Sequence, residues 1–295
     1  MALIAVGRGP DVAGKGQNGP VLTELPSLVA SDVDGTLIDD AERVTTRTRD
    51  AVRTVVESGT PFVLATGRPP RWLAPVVDGL GFAPLAVCAN GAVLYDAAAD
   101  RVLDASTLSL ETLAWLADLV EYELPGAGLA AERVGATAHD TATAQFVSAP
   151  GYEHAWLNPD HTEMAPEDIL SAPAVKMLIR IPGARSADMA AKLRPLVGER
   201  ADLTYSTDNG LIEVSAPGVT KASGLRQMAR RLEVAETGIV AFGDMPNDIP
   251  MLAMAGHGVA VENAHPEAKA AADEVTATNS DDGVARVLER LWSDR

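Results

Sequence analysis

The sequence predicts an α/β protein: a parallel sheet with helices on both faces, interrupted by a second, inserted α/β unit. Three observations carry this prediction. Short apolar runs alternate with helical stretches from Leu25 to Tyr95, and the same alternation returns from about residue 214 to the C-terminus. Between them the pattern changes to helices set among strands of antiparallel character. The expected divisions are an N-terminal extension over 1–24, a core over 25–95 and 214–295, and an insert over 96–213.

The extension contains "GRGPDVAGKGQNGP", rich in Gly and Pro and without hydrophobic period, which predicts a flexible tail. Its "AGKGQNG" lacks the spacing of a phosphate loop, and no strand leads into it. "SLVASD" then reads as a strand. "TTRTRDAVRTVVESG" reads as a helix with Thr45 as N-cap and Gly59 as stop. "TPFVLATG" is a second strand, "PPRWLAPVVDGLG" a second helix, and "PLAVCANGAVLY" a third strand that runs into a loop. In the insert, "LETLAWLADLVEYEL" and "SADMAAKLRPLVGER" read as helices. "AVKMLIRI" and "GLIEVSA" read as strands, with "ATAHD" and "QFVSAP" as weaker ones. The return to the core brings the helix "KASGLRQMARRLEV", the strand "TGIVAFGD", the helix "NDIPMLAMAG" and the strand "GVAV". The helix "HPEAKAAAD", the extended "EVTAT" and the amphipathic helix "DDGVARVLERLW" close the chain.

Composition narrows the function. With 295 residues, 47% of them hydrophobic and 22% charged, the chain reads as globular. A formal net charge of -17 repels phosphate backbones, so no nucleic-acid partner is expected. The same charge still admits a small phosphorylated substrate, because a bound cation reverses the local sign. No run reaches the roughly 18 apolar residues of a membrane span, and the N-terminus lacks the basic start of a secretory signal. The single cysteine, Cys88, fits a reducing, cytoplasmic location. It sits in an apolar run without a neighbouring base, so it reads as a core thiol. The five histidines form no motif at metal-ligand spacing. No motif speaks to oligomeric state.

Three apolar strands end in polar residues: "LVASDVD", "FVLATGR" and "IVAFGD". In an open parallel sheet the ligand site lies beyond the carboxyl ends of the strands, so Asp32, Thr66 and Asp244 are expected to converge, with Lys221 brought near by its helix. Asp32 and Asp34 cannot both stay ionised at short range unaided. A hard cation such as Mg2+ supplies that help through carboxylate and carbonyl oxygens, with Asp32, Asp244 and the Asp34 carbonyl as ligands. Asp32 is placed to attack phosphorus and Asp34 to move the proton. Thr66 would donate to phosphate oxygens, and Lys221 would offset charge on the transferring group. Asp208, Asn209 and Glu213 are polar and lie near the return to the core, where specificity could be read.

With these motifs in order, the chain resembles the haloacid dehalogenase-like (HAD) hydrolase superfamily, in its Cof-type branch with a C2B cap. "DVDGTL", "ATGR", "GVTK" and "GDMPND" match its four motifs, and "ANGAVLY" and the tail from "NAHPEAK" match the branch. The resemblance covers about Leu25 to Trp292 and implies a Rossmann-like core, a C2B-type α/β cap, and Mg2+-dependent hydrolysis of phosphate monoesters through an aspartyl-phosphate. It implies Asp32 as nucleophile, Asp34 as acid/base, and Thr66 and Lys221 on the phosphate, within "ATGR" alongside Gly67 and Arg68. It further implies Asp244 on the metal with Asp32 and Asp34, Asn247 on phosphate or the metal shell, Asp248 positioning Lys221 or joining the metal site, and Asn90 and Gly91 lining the cap hinge. Two other functions share these motifs: a phosphohexomutase-like phosphotransferase, which a bisphosphate requirement would distinguish, and a catalytically silent binding module, which the intact motif set disfavours.

Overall fold

In the computed structural model, residues 25–155, 161–205 and 207–293 are described; the expected flexible extension over 1–24 lies outside them. The chain runs β1 (Leu28–Ser31), α1 (Thr46–Glu57), β2 (Phe62–Ala65), α2 (Ala74–Leu80), β3 (Leu85–Cys88), β4 (Val93–Asp96) and β5 (Arg101–Ala105). It continues through α3 (Leu110–Glu123), β6 (Gly128–Glu132), β7 (Phe146–Ser148), β8 (His161–Glu163), α4 (Pro166–Ile169), β9 (Lys176–Arg180), α5 (Ser186–Val197), β10 (Asp202–Thr204) and β11 (Leu211–Ser215). It ends with α6 (Lys221–Arg231), β12 (Ile239–Gly243), α7 (Ile249–Met254), β13 (His257–Ala260), α8 (Pro266–Ala271), β14 (Glu274–Val275) and α9 (Gly283–Trp292).

The first sheet has eight strands in the order β14-β13-β12-β1-β2-β3-β4-β5, parallel from β14 to β3. Its central strands β1, β2 and β12 are buried along their whole length, so β1 runs Leu-Val-Ala into a buried Ser31 rather than alternating apolar and polar residues. Val29 packs with Val52, Val55 and Leu288 of α1 and α9 on one side. Leu28 and Ala30 pack with Leu225, Met228 and Met251 of α6 and α7 on the other. Helix α1 begins where the sequence indicates: the Thr48 amide donates to Thr45 Oγ1 at 3.0 Å, and Gly59 follows the helix with φ +88°.

Two expectations change here. "PLAVCANGAVLY" is a hairpin rather than a strand and a loop: β4 returns antiparallel to β3 through Ala89–Gly91, where Ala89, Asn90 and Gly91 all have positive φ. β5 then pairs with β4, so the sheet continues through Ala105, past the expected junction at residue 95.

The second sheet has six strands in the order β10-β11-β9-β6-β7-β8. It is antiparallel except for the β7–β8 pair, which is parallel. "ATAHD" forms no strand; the preceding strand is instead β6, "GLAAE", whose Gly and Ala lack the β-branched signature. Alternate residues of this sheet face opposite ways. Ala131, Met177, Ile179, Ile212 and Val214 pack against α3 and α5. Glu132, Lys176 and Glu213 stand on the opposite face and meet the first unit.

Candidate active site

Strands β12, β1 and β2 are sheet neighbours, so their carboxyl ends lie side by side. Asp32 and Asp244 thereby come together, and Thr66 directly follows the neighbouring strand β2. The Asp32 amide donates to Phe242 O at 2.9 Å, tying the end of β1 to β12. The chain then makes one wide turn, Val33–Leu37, closed by the Ile38 amide on Val33 O at 3.1 Å. Gly35 has φ +77° in this turn, and a Cβ on it would lie 2.6 Å from Asp244 Oδ2. Only glycine therefore allows the turn to close over that carboxylate.

Lys221 opens α6, whose first turn is fixed by a reciprocal cap. Ser223 N donates to Thr220 Oγ1 at 3.1 Å, and Thr220 N donates to Ser223 Oγ at 2.9 Å. Gly91 lets this helix approach, because a Cβ there would lie 2.0 Å from Thr220 O. The Lys221 side chain is 2% exposed. Its ammonium donates to Asp32 Oδ1 at 2.6 Å and to Asp248 Oδ1 at 2.7 Å. The other Asp248 oxygen accepts the amides of Asp244 and Met245, each at 3.0 Å. Asp244 Oδ1 accepts from the Thr36 hydroxyl at 2.9 Å.

The electrostatics follow from burial. Burial by itself would lower Lys221, but Asp248 and Asp32 outweigh it and hold the ammonium above its ordinary range. Burial raises the Asp32 carboxyl; Lys221 opposes this, while Asp248, Asp244 and Asp34 add to it. Burial, then the charge of Asp248, pushes Asp244 up to about 6. Oxygens of Asp32, Asp244 and Asp248 lie within 4.8 Å of one another, and with all three ionised the cluster carries two negative charges in excess of Lys221. An all-oxygen donor set with that surplus fits a divalent hard cation. Asp32 and Asp244 are the carboxylates best able to hold one, because both oxygens of Asp248 are already engaged.

The other expected site residues are placed as follows. The Asp34 carboxylate is 53% exposed and lies outside the three-carboxylate cluster. It pairs with Arg68, whose Nη2 and Nε lie 2.5 Å from Oδ1 and 3.0 Å from Oδ2. Thr66 is fully buried, and its hydroxyl accepts the Arg68 amide at 3.0 Å. Asn247 Nδ2 donates to Asn90 Oδ1 at 3.1 Å, and Gly67 lies against that same oxygen. Cys88 is buried in the core, which pushes its thiol up and removes it from thiolate chemistry. Asp208 is exposed and pairs with Arg185 at 2.9 Å, while Asn209 gives its carbonyl to Arg180, so neither reaches the cluster. Glu213 does reach the first unit, through Asn90.

Thr36, Lys176 and the Arg71–Glu132 pair escaped the sequence reading. Arg71 Nη1 and Nη2 lie 2.5 and 3.1 Å from the Glu132 carboxylate, buried between the two units. Glu132 closes β6 and Lys176 opens β9, so the signal for both is a charge bordering an apolar run.

A parallel-sheet α/β unit, an inserted sheet above its carboxyl edge, and buried carboxylates around a lysine define a hydrolase of the capped α/β type. The chain belongs to the haloacid dehalogenase-like hydrolase family, whose model matches residues 29–288. It is 27% identical over 265 residues to the 5-amino-6-(5-phospho-D-ribitylamino)uracil phosphatase YcsE of Bacillus subtilis, covering 90% of this chain and 95% of that protein. It is 28% identical over 291 residues to the phosphatase YwpJ of the same organism, covering 90% and 99%. Its fold is similar to that of the HAD subclass IIB sugar phosphatase BT4131, with TM-score 0.73, 23% identity, and coverage of 89% and 98%. No helix among the described residues is long and apolar enough to cross a membrane.

Proposed function

We propose that this protein is a Mg2+-dependent phosphatase of small phosphate monoesters that works through an aspartyl-phosphate on Asp32. The observation that carries the reading is the buried cluster in which Lys221 joins Asp32 and Asp248, with Asp244 beside them. An Asp32 oxygen attacks phosphorus as the bond from phosphorus to the ester oxygen breaks. Asp34, freed from Arg68 and protonated from solvent as substrate binds, gives that proton to the departing alkoxide. Asp34 then takes a proton from the water that attacks phosphorus, and the bond to Asp32 breaks, restoring the carboxylate and freeing inorganic phosphate. The Thr66 hydroxyl, held by the Arg68 amide, donates to a phosphate oxygen, and Lys221 offsets charge on the transferring group. Asp32, Asp244 and the Asp34 carbonyl would hold Mg2+, which would supply charge compensation for the phosphoryl group.

The inserted unit serves as the cap that reads the leaving group, with sugar phosphates and phosphorylated cofactors as the substrate class. The 5-amino-6-(5-phospho-D-ribitylamino)uracil phosphatases among the relatives support a polyol-bearing monoester. The test is phosphate release from sugar phosphates, flavin mononucleotide and pyridoxal phosphate, with Mg2+ and with chelator. Release that requires Mg2+ supports the reading. No release from any, by folded protein that binds Mg2+, overturns it.

A further inference from the structure

Lys176 and Glu213 are charged, only 4% and 5% exposed, and lie diagonally across the adjacent strands β9 and β11, where Glu213 stands opposite Leu178, on the cap-sheet face that meets the core. Lys176 Nζ donates to Glu213 Oε1 at 2.6 Å and to the core carbonyl Gly67 O at 2.8 Å. Glu213 Oε2 accepts from core Asn90 Nδ2 at 3.0 Å. A buried ion pair is a poor source of net stability, since well-packed apolar groups serve as well or better. What this pair adds is connection, and both ends run into the candidate site.

We propose that Lys176 and Glu213 are positioning residues through which the seated cap sets the phosphate side and the carboxylate side of the catalytic centre. The inference rests on the phosphatase reading above. On the phosphate side, Gly67 O and Arg68 N–H belong to one peptide plane. Lys176 holds its oxygen, and its N–H donates to Thr66 Oγ1 at 3.0 Å. Because that bond occupies the hydroxyl as an acceptor, the Thr66 proton is left to point elsewhere, toward a phosphate oxygen.

On the other side, a carboxylate can only accept, so Glu213 compels Asn90 to turn its NH2 group toward it. Asn90 Oδ1 must then face Asn247, which answers with Nδ2 at 3.1 Å. The orientation of both amides follows from one charged residue in the cap. Asn247 Oδ1 is left buried and without a partner, fixed as an acceptor on the loop that carries Asp244 and Asp248.

The test is the Lys176→Met/Glu213→Gln double variant, which removes both charges at similar volume. Thermal melting first establishes that it folds. kcat and KM are then compared with wild type on p-nitrophenyl phosphate and on the best natural monoester. A positioning role predicts that kcat falls about tenfold or more on both substrates, with KM changed by less than about threefold. Unchanged kcat on both overturns the proposal, as does a loss confined to one substrate, which would mark a leaving-group contact. Should the double variant fail to fold, Asn90→Gly replaces it, keeping the positive φ of 57° while cutting the link to Asn247. The same kcat loss is expected, and a wild-type kcat overturns the role. A wild-type enzyme inert toward every monoester would fail the phosphatase reading itself. An active wild type with an equally active variant would fail only the positioning role.

Discussion

The Lys221 ammonium lies 2.6 Å from the Asp32 carboxylate, a contact that spans 189 positions of sequence and joins the end of β1 to the start of α6. Both groups are almost wholly buried, and the same ammonium reaches Asp248. One cation thus holds two carboxylates that would otherwise repel in a dry site.

Removing that cation should be costly. Lys221→Met leaves Asp32 and Asp248 buried and unpaired, so unfolding free energy in chelator should drop by about 3–5 kcal/mol. Urea denaturation measures this. A loss below about 1 kcal/mol would mean that the ammonium does not hold the cluster together.

Asp34 should behave differently, because its carboxylate is exposed and pairs with Arg68 outside the cluster. Asp34→Asn should fold normally and retain Mg2+ binding, while kcat falls by about 10²–10⁴-fold through loss of proton transfer. Steady-state kinetics beside calorimetric Mg2+ titration would check this. Unaltered kcat would remove Asp34 from the mechanism.

Metal response should depend on pH through Asp244. Its carboxyl is raised from 3.8 to about 6, chiefly by burial and then by Asp248. Between these values the folded state keeps a proton that the unfolded state loses, so metal-free stability falls as pH rises and levels off above about 6. Metal binding needs the ionised carboxylate. Mg2+ should therefore raise Tm more at about pH 7.5 than at about pH 5. Equal shifts at both, or a persistent pH effect in Asp244→Asn, would contradict the assignment.

Acid stability should depend on Glu274. Burial would raise its carboxyl, but His257 at 2.9 Å and Arg290 at 2.7 Å outweigh that and hold it below its ordinary 4.5. The resulting stabilisation is complete above pH 4.5 and is lost as pH falls through the folded value. Glu274→Gln should flatten the acid limb of a Tm-against-pH curve. A limb as steep as that of wild type would show that this carboxylate does not drive it.

The core of the site was legible because strand ends carry it. In a parallel sheet, the residue after each apolar run lands at one edge, so Asp32, Thr66 and Asp244 converge by topology alone. The Asn90-Gly91 turn was also written in the sequence: an Asn-Gly pair between apolar runs signals a hairpin, and the third strand was read through it. The Lys176–Glu213 link was not legible. Period-two patterning reveals which face a strand residue takes, but not which distant group answers its charge. Glu213 was visible as a polar residue near the return to the core, yet its partner Asn90 lies 123 positions away.

Asp32 is the residue proposed to carry the phosphoryl group. The most direct test is acid quench of wild-type protein during turnover with Mg2+, followed by peptide mass spectrometry. A phosphoryl adduct on Asp32, absent from Asp32→Asn together with turnover, is the predicted result. Phosphate release without an adduct, or turnover that survives Asp32→Asn, would contradict it.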